Sequence, residues 1–466
     1  MGRPMSRPVT GPRVGVVVVH YEAPRSLDLV LTALADSPVP LQVVVADDGS
    51  ATPPDPGPRP YPVRVVTQPD LGFRAAAARN LGARALLEAD PDVEALFFLD
   101  GDTIPTAGYV PALLAALQET AIEAPDRRAL VVGRRRYADL AGLTPDEVLA
   151  FVAEPSRHSE RVLPDTAWLD EGYAATELLR TADDRSYRFV ISAVLGLTRE
   201  LWEATGGFDD SFVGYGGEDW DLANRAWLAG ADLRHAPNAV AWHDGPDASG
   251  RDVESDEHTR LSTKDLETRR VAEVVTEPGA RDPGLLWANP DVVIEVDDDG
   301  WRSADTLLTC ADLLRGTDAR IWLSRGGILD DGTWPESDPR VQRRPVDERV
   351  RLRARHRVRV TRPLRLRTPL ADLCARAPLD LPGLTIARTR DLARAQAAEA
   401  PTAPASSPPP AEVLDAVRAS RPDGRLEAEW GWLTTDELPP LLPADRTSRT
   451  PSTRTPQTNP DPGGPR

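Results

Sequence analysis

The sequence predicts an α/β protein: an open, mostly parallel sheet with helices on both faces, followed by a smaller α/β domain and a largely disordered carboxyl-terminal tail. Three observations carry this prediction. Apolar runs (VGVVVV from Val14, LQVVVAD from Leu41, ALFFLD ending at Asp100) alternate with segments of helical period, the pattern of strands covered on both faces. Acidic clusters, Asp47-Asp48 and Asp100-Gly101-Asp102, sit at the ends of those runs, where open α/β sheets bind their ligands. Proline reaches 46 of 466 residues, with 14 in the last 66, which marks that end as unable to build a core.

The first strand is Val14–Val19. LDLVLTALADS follows with apolar residues at helical spacing, and Ser26 is its expected N-cap. The second strand ends in Asp47, Asp48, Gly49 and Ser50. A proline-rich loop over 53–62 leads to a third strand, Val63–Thr67, and then to LGFRAAAARNLGARALLEA, an alanine-rich helix of high propensity. The fourth strand stops at Asp100. Residues 120–188 are less regular and read as helices and loops around a cleft. FVISAVLGLT then reads as a strand, RELWEAT as a short helix, GGFDDSFVGYGGEDWDLANRAWLAG as a loop and helix, and NAVAWH as a short last strand ending at His243.

Residues 250–268 turn polar and charged and read as a linker, so the domains are expected at 13–250, 268–400 and 401–466. The second contains DVVIEVDD as a strand, SADTLLTCADLLRG as an amphipathic helix and RIWLSR as another strand. Its acids Asp297, Asp298 and Asp299 echo a strand-end acid cluster; of the two readings, a degenerate second nucleotide-sugar domain and an accessory domain whose acids form a solvated turn, the second is favoured because no later Gly-Gly-Glu-Asp loop accompanies them. The run Arg349–Arg367 alternates arginine with apolar residues, which fits strands with one solvated face; an anion-holding surface is the other reading. Within the tail, AEVLDAVRAS and the Trp430–Trp432 segment are pieces able to dock.

Charge and composition exclude several classes. With 55 basic and 73 acidic side chains the formal charge is −18, so the broad positive footprint of a nucleic-acid or anionic-membrane binder is missing. An anionic ligand therefore needs local help. Cys310 and Cys374 are too few for a disulfide framework and lack zinc-knuckle spacing, so two buried thiols are expected. No run approaches the ~20 apolar residues of a membrane-spanning helix, and the start lacks a signal-type apolar stretch; the expected location is cytoplasmic.

Two segments carry chemistry. Asp100-Gly101-Asp102 offers paired carboxylates on one tight turn, a hard-oxygen donor set suited to Mg2+ or Mn2+, although such a triplet alone is equally a solvated acidic loop. The stretch from Gly206 to Asp219 is denser in information. Its glycines let backbone approach a ligand, and Glu218-Asp219 places a base beside a ligand-orienting carboxylate. Helix capping by Asp219 or Asp221 explains part of this pattern, but requires neither five glycines nor two consecutive acids.

The series VVVADDGS, DLGFRAAAARNLGA, FLDGD, GGFDDSFVGYGGEDWDLANRAWLAG and AWH resembles the family 2 glycosyltransferases, with a carboxyl half similar to the galactosyltransferase type found in chondroitin-polymerase and polypeptide GalNAc-transferase domains. The resemblance covers about residues 13–245. It implies a GT-A fold and transfer of a sugar from a nucleotide-sugar donor, UDP-linked, to a hydroxyl of a glycan, peptide or small-molecule acceptor. By this resemblance Tyr21, Asp47, Asp48, Arg74, Asn80, Asp100 and Gly217 bind the donor. Asp100, Asp102 and His243 hold Mn2+ or Mg2+. Tyr215 and Trp220 face the acceptor, Asp219 is the general base with Glu218 orienting, and the carboxylate at 219 favours inversion. A non-catalytic sugar-nucleotide or glycan-binding scaffold is the competing expectation.

Overall fold

The computed structural model describes residues 13–246, 257–282, 284–324 and 338–398, with three short strands in the tail at Val417–Ala419, Ala428–Glu429 and Trp432–Leu433. The remaining tail, including most of AEVLDAVRAS and Trp430, lies outside the described residues. Val417–Ala419 pairs antiparallel with Leu364–Leu366.

The main sheet opens with β1 (Arg13–His20), β2 (Leu41–Asp47), β3 (Val63–Thr67) and β4 (Val93–Asp100), all parallel to one another. The β-branched run at β1 pairs Val16 with Val43 on one side and Phe97 on the other, and its valines from Val16 to Val18 are fully buried. The helices α1 (Pro24–Leu34) and α2 (Ala75–Ala89) complete the βαβ units. α1 starts two residues before the expected cap: Pro24 occupies its first turn, where a missing N–H costs nothing, and Ala23 takes the cap position.

β5 (Thr103–Pro105), α3 (Tyr109–Glu123), β6 (Ala129–Ala138), α4 (Pro145–Ala153) and α5 (Ala167–Ala175) follow. β7 (Val194–Thr198), α6 (Arg199–Thr205), α7 (Glu218–Leu228) and β8 (Asp232–Asp244) finish this layer. The sheet order is β3-β2-β1-β4-β7-β6-β8-β5; it is mostly parallel, as the sequence predicted, with antiparallel pairings at β4–β7, β6–β7 and β5–β8.

Two departures concern its second half. Residues 120–188 contain β6, a ten-residue strand of the main sheet, where helices and loops were expected. Its outer half is Arg134-Arg135-Arg136, three charges that hide a strand until their partners are known; Arg134 and Arg136 both reach Asp165. The last strand is thirteen residues rather than six. The expected strand began at Asn238, just past Pro237, but the β6–β8 register slips between Val132 and Arg134 at this level, and an irregularity tolerates proline where a regular ladder does not.

The expected linker also differs: α8 (Glu257–Val274) covers most of it. Its polar sequence is helix-forming, and it packs through Val271 and Ala272, both buried. The second sheet comprises β9 (Val292–Val296), β10 (Ala319–Leu323), β11 (Val341–Gln342), β12 (His356–Val360), β14 (Leu379–Leu381) and β15 (Leu384–Arg388), with β13 (Leu364–Leu366) outside it. Helices α9 (Ser303–Leu314), α10 (Glu348–Arg353), α11 (Leu370–Cys374) and α12 (Thr389–Ala397) accompany it. Its order β11-β10-β9-β12-β15-β14 repeats that of β3-β2-β1-β4 in the first sheet, with an antiparallel strand added beyond the fourth in both. Each sheet has its own apolar core. Cys310 and Cys374 are buried free thiols in the second core, and burial pushes both up to about 12.

The Arg349–Arg367 run is not a single solvated face. Arg365 is buried and bonded to buried Asp312 at 2.7 Å, Arg351 reaches Glu295 at 2.6 Å, and Arg353 and Arg355 cross to acids of the first sheet's layer. Residues 349–353 belong to the helix α10 rather than to a strand; the expected alternation holds in β12, with Arg357 and Arg359 on its more exposed side, whereas β13 is buried throughout.

Candidate functional site

The carboxyl ends of β1, β2 and β4 open onto a cavity of about 240 Å³ bounded by Tyr21, Asp48, Phe73, Arg79, Asp100 and Asp102. Strand order reverses at this point, with β2 on one side of β1 and β4 on the other, and such a switch leaves a crevice that neighbouring connections do not cover. The turn after β4 is held by the Gly101 amide donating to the Val19 carbonyl at 2.8 Å. A β-carbon at Gly101 would lie 2.4 Å from that oxygen; glycine is needed here for close approach.

The two acids after β2 divide their work. Asp47 is buried and accepts from its own turn, the Ser50 hydroxyl at 2.5 Å. Asp48 accepts from the Arg74 amide at 2.7 Å and the Gln68 side chain at 2.5 Å, and lines the cavity. Arg74 thus contributes its backbone at the start of α2. Tyr21 is half-exposed at the mouth, with its hydroxyl 3.5 Å from Asp70.

Arg79 organises the floor. Only 4% exposed, it donates to Asp100 at 2.9 Å and to Glu218 at 3.0 Å. The strand-end acid and the Gly-Gly-Glu-Asp loop are thereby tied to one guanidinium, and the positive charge offsets the cost of burying two carboxylates. Glu218 and Asp219 open α7, where first-turn acids face the positive end of the helix dipole. Gly217 precedes them at φ 93°, a left-handed conformation that β-carbons resist. Burial and the neighbouring Glu218 charge push the Asp219 carboxyl up to about 7, against the pull of Arg79. Asp219 accepts from the Trp220 amide at 2.9 Å. Glu218 Oε2 is buried with no hydrogen-bond partner among the described residues.

On the other wall, pairing of β5 with β8 sets Thr103 opposite His243. His243 Nε2 lies 3.3 Å from Asp102, and its Nδ1 lies 3.3 Å from the Gly245 carbonyl. Burial would raise the Asp102 carboxyl, but the His243 contact and the Arg135 guanidinium, 3.6 Å away, hold it well below the usual carboxylate range. Either ring nitrogen can carry the proton: with it on Nδ1, Nε2 presents a lone pair on the Asp102 side, the form a divalent ion would need, and with it on Nε2 the imidazole donates to Asp102. Imidazole and carboxylate oriented in this way fit a divalent ion such as Mn2+. Asp100, the third residue expected here, is bound through one oxygen to Arg79 at 2.9 Å. Among the described residues no three His, Cys, Asp or Glu side chains gather as a metal shell.

The remaining expected residues are dispersed. Asn80 faces away from the cavity mouth: its side chain donates to the Phe208 carbonyl at 2.8 Å and accepts the Phe208 amide at 2.9 Å, anchoring the loop before α7. Tyr215 is exposed and tilts against Phe73 with ring centres 5.9 Å apart. Trp220 packs edge-on against Tyr187. Sequence reasoning passed over Arg79 and Arg135. Arg79 had a legible signal, being a charge within the alanine-only stretch of a buried helix face; Arg135 had none, since its role depends on the β6–β8 pairing.

Residues 15–144 match the family described as glycosyl transferase family 2, and residues 180–243 match the N-terminal domain of galactosyltransferase. Chondroitin synthase of Pasteurella multocida (strain Pm70) is 26% identical over 284 residues, 56% of this chain and 27% of that protein. Validoxylamine A glucosyltransferase of Streptomyces hygroscopicus subsp. limoneus is 32% identical over 240 residues, 48% of this chain and 49% of that protein. The matched region therefore spans about a quarter of the first relative and half of the second. The solved structure of S. aureus TarS, residues 1–349, aligns with a TM-score of 0.35 at 13% identity, covering 56% of this chain and 64% of that one. This chain thus carries a family 2 glycosyltransferase domain over residues 15–144, continued by a galactosyltransferase-type segment over residues 180–243.

Proposed function

We propose that residues 13–250 form a metal-dependent transferase unit that moves a sugar from a UDP-linked donor to an acceptor hydroxyl with inversion. The observation that carries this reading is Arg79, which joins Asp100 at the donor cleft to Glu218 beside Asp219. Donor and acceptor machinery thus share one buried guanidinium. Asp48 and Tyr21 flank the part of the cavity suited to the uracil and ribose. Asp102 and His243 would hold Mn2+ or Mg2+, with the free oxygen of Asp100 toward the diphosphate. When bound, that ion stabilises negative charge growing on the leaving diphosphate.

The protein's own residues carry the proton. Asp219, with its carboxyl near neutrality, is matched to general-base work at physiological pH. It takes the proton of the acceptor hydroxyl as that oxygen attacks the anomeric carbon from the face opposite the leaving group, and inversion follows from the single displacement. Glu218 Oε2, an unfilled buried acceptor, is available to a sugar or acceptor hydroxyl. Tyr215 and Phe73, paired and half-exposed at the mouth, offer a platform for an acceptor glycan.

The test is a panel of nucleotide sugars with the full chain, with and without Mn2+, read by thermal shift and by release of nucleoside diphosphate. Slow metal-dependent hydrolysis of a UDP-sugar, lost in Asp219→Asn while donor affinity survives, is the expected result. Absence of nucleotide binding with any divalent ion rejects the proposal; binding with no turnover toward any acceptor leaves a sugar-nucleotide-binding scaffold.

A further inference from the structure

The helix that opens with Glu218 and Asp219 is gripped at both ends by arginines of the second region. At its first turn, Arg353 at the end of α10 donates through Nη2 to Asp209 at 2.7 Å and through Nη1 to Asp221. Asp209 belongs to the loop that precedes α7, and Asp221 is a wholly buried first-turn acid of α7 itself. One planar guanidinium thus bridges two like charges that would otherwise repel across the base of the loop. The Arg353 carbonyl accepts from Thr276 at 2.9 Å, tying it to the chain just beyond α8. At the far end, Arg390 donates to the Trp227 and Ala231 carbonyls at 2.8 and 2.7 Å and lies 3.5 Å over the Trp227 ring. Arg394 donates to the Gly230 carbonyl at 3.1 Å. These guanidinium groups add a donor to the Trp227 carbonyl of the last turn, bond the turn that follows it, and place positive charge at the helix's negative pole.

From this arrangement we infer that the second region serves as a clamp on α7, and that Arg353 is a positioning residue that holds Asp219 and Glu218 at the angle the reaction needs. The inference rests on the transferase reading for its effect on turnover, but its structural part stands without it. Asp221 keeps a second partner, Arg225 at 2.7 Å, so loss of Arg353 leaves that charge paired and the fold intact. What is lost is the link between the loop at Asp209 and the first turn of α7. Asp48, Asp100 and the cavity between β1 and β4 have no bond to Arg353, so donor recognition is untouched.

The experiment compares full-length wild type, Arg353→Ala and Arg353→Lys. In Arg353→Ala, kcat falls by about 100-fold, the scale of a small misplacement of a reacting group, while donor KM is unchanged. Arg353→Lys recovers part of kcat, because an ammonium supplies the charge without the two-pronged geometry. Amide hydrogen exchange speeds up over residues 208–222 and not over β1, β2 and β4. Equal losses in kcat and donor affinity, or unchanged exchange over 208–222, overturn the inference. If the wild type transfers no sugar, the transferase reading fails and the exchange data alone decide the clamp. If Arg353→Ala does not fold, the same comparison is made with Arg353→Lys, where local exchange identical to wild type is the overturning result.

Discussion

Arg79 and Glu218 stand 139 residues apart in the chain and meet at 3.0 Å in the protein interior. Removing one member of a buried pair leaves an uncompensated charge, which costs about 3–5 kcal/mol. Arg79→Leu leaves the buried Glu218 carboxylate to that penalty and removes a partner from Asp100, which is partly exposed and loses less. It should lower the unfolding free energy by an amount in this range, measured by chemical denaturation, and the double variant Arg79→Leu/Glu218→Gln should recover part of it. A single variant as stable as wild type would show that the pair does not form in solution.

Asp219 gives the pH dependence. Its folded-state carboxyl is raised toward 7, so turnover should rise with pH as this group ionises, and Asp219→Asn should lower kcat by about 10²–10⁴, the span of general-base contributions. Stability moves in the opposite sense. A raised acid adds full stability below its unfolded value and loses it as pH climbs through the folded one. In metal-free buffer Asp219→Asn should therefore be more stable than wild type at pH 8 and close to it at pH 4, by thermal melts at both.

Asp102 and His243 predict metal behaviour. His243→Ala should weaken Mn2+ binding by about 10-fold or more, and Asp102→Asn by as much, on the scale seen when the groups around a bound metal are altered. Calorimetric titration of Mn2+ in the presence of UDP checks this. Chelation of the wild type should abolish nucleotide-dependent stabilisation, and a donor that binds equally well in excess chelator would remove these two residues from the site.

Asn80 separates loop anchoring from donor binding. Its two bonds to Phe208 are buried, and a buried polar partner left unsatisfied costs about 1–3 kcal/mol. Asn80→Ala should destabilise the protein by about that much while donor affinity, measured on the folded fraction, stays near wild type. A selective loss of donor affinity with full stability would restore the role that the family resemblance implied.

The β1–α1–β2–β3–α2–β4 half was legible because parallel strands buried on both faces must be written as unbroken apolar runs, with their acids confined to the ends. Asp48, Asp100 and Asp102 could be placed at one sheet edge for the same reason. β6 and the full length of β8 were not legible, since three consecutive arginines and a proline contradict local strand chemistry and are accommodated by Asp165, by Asp102 and by a slipped register. The Arg349–Arg367 run shows the same limit: alternation predicts strands throughout, but residues 349–353 form a helix whose Arg353 meets Asp209 and Asp221.

Residue order by itself determined the sheet of the first half, the acidic edge and the glycine-rich loop with its adjacent acids, all of which depend on spacing along a few tens of residues. Only tertiary structure decided that Arg79 would join two of those acids, that Asn80 would brace a loop, and that Arg353, Arg390 and Arg394 would hold α7 from the second region. A charge buried by folding takes whichever partner packing brings within about 3 Å, and no local pattern records that partner.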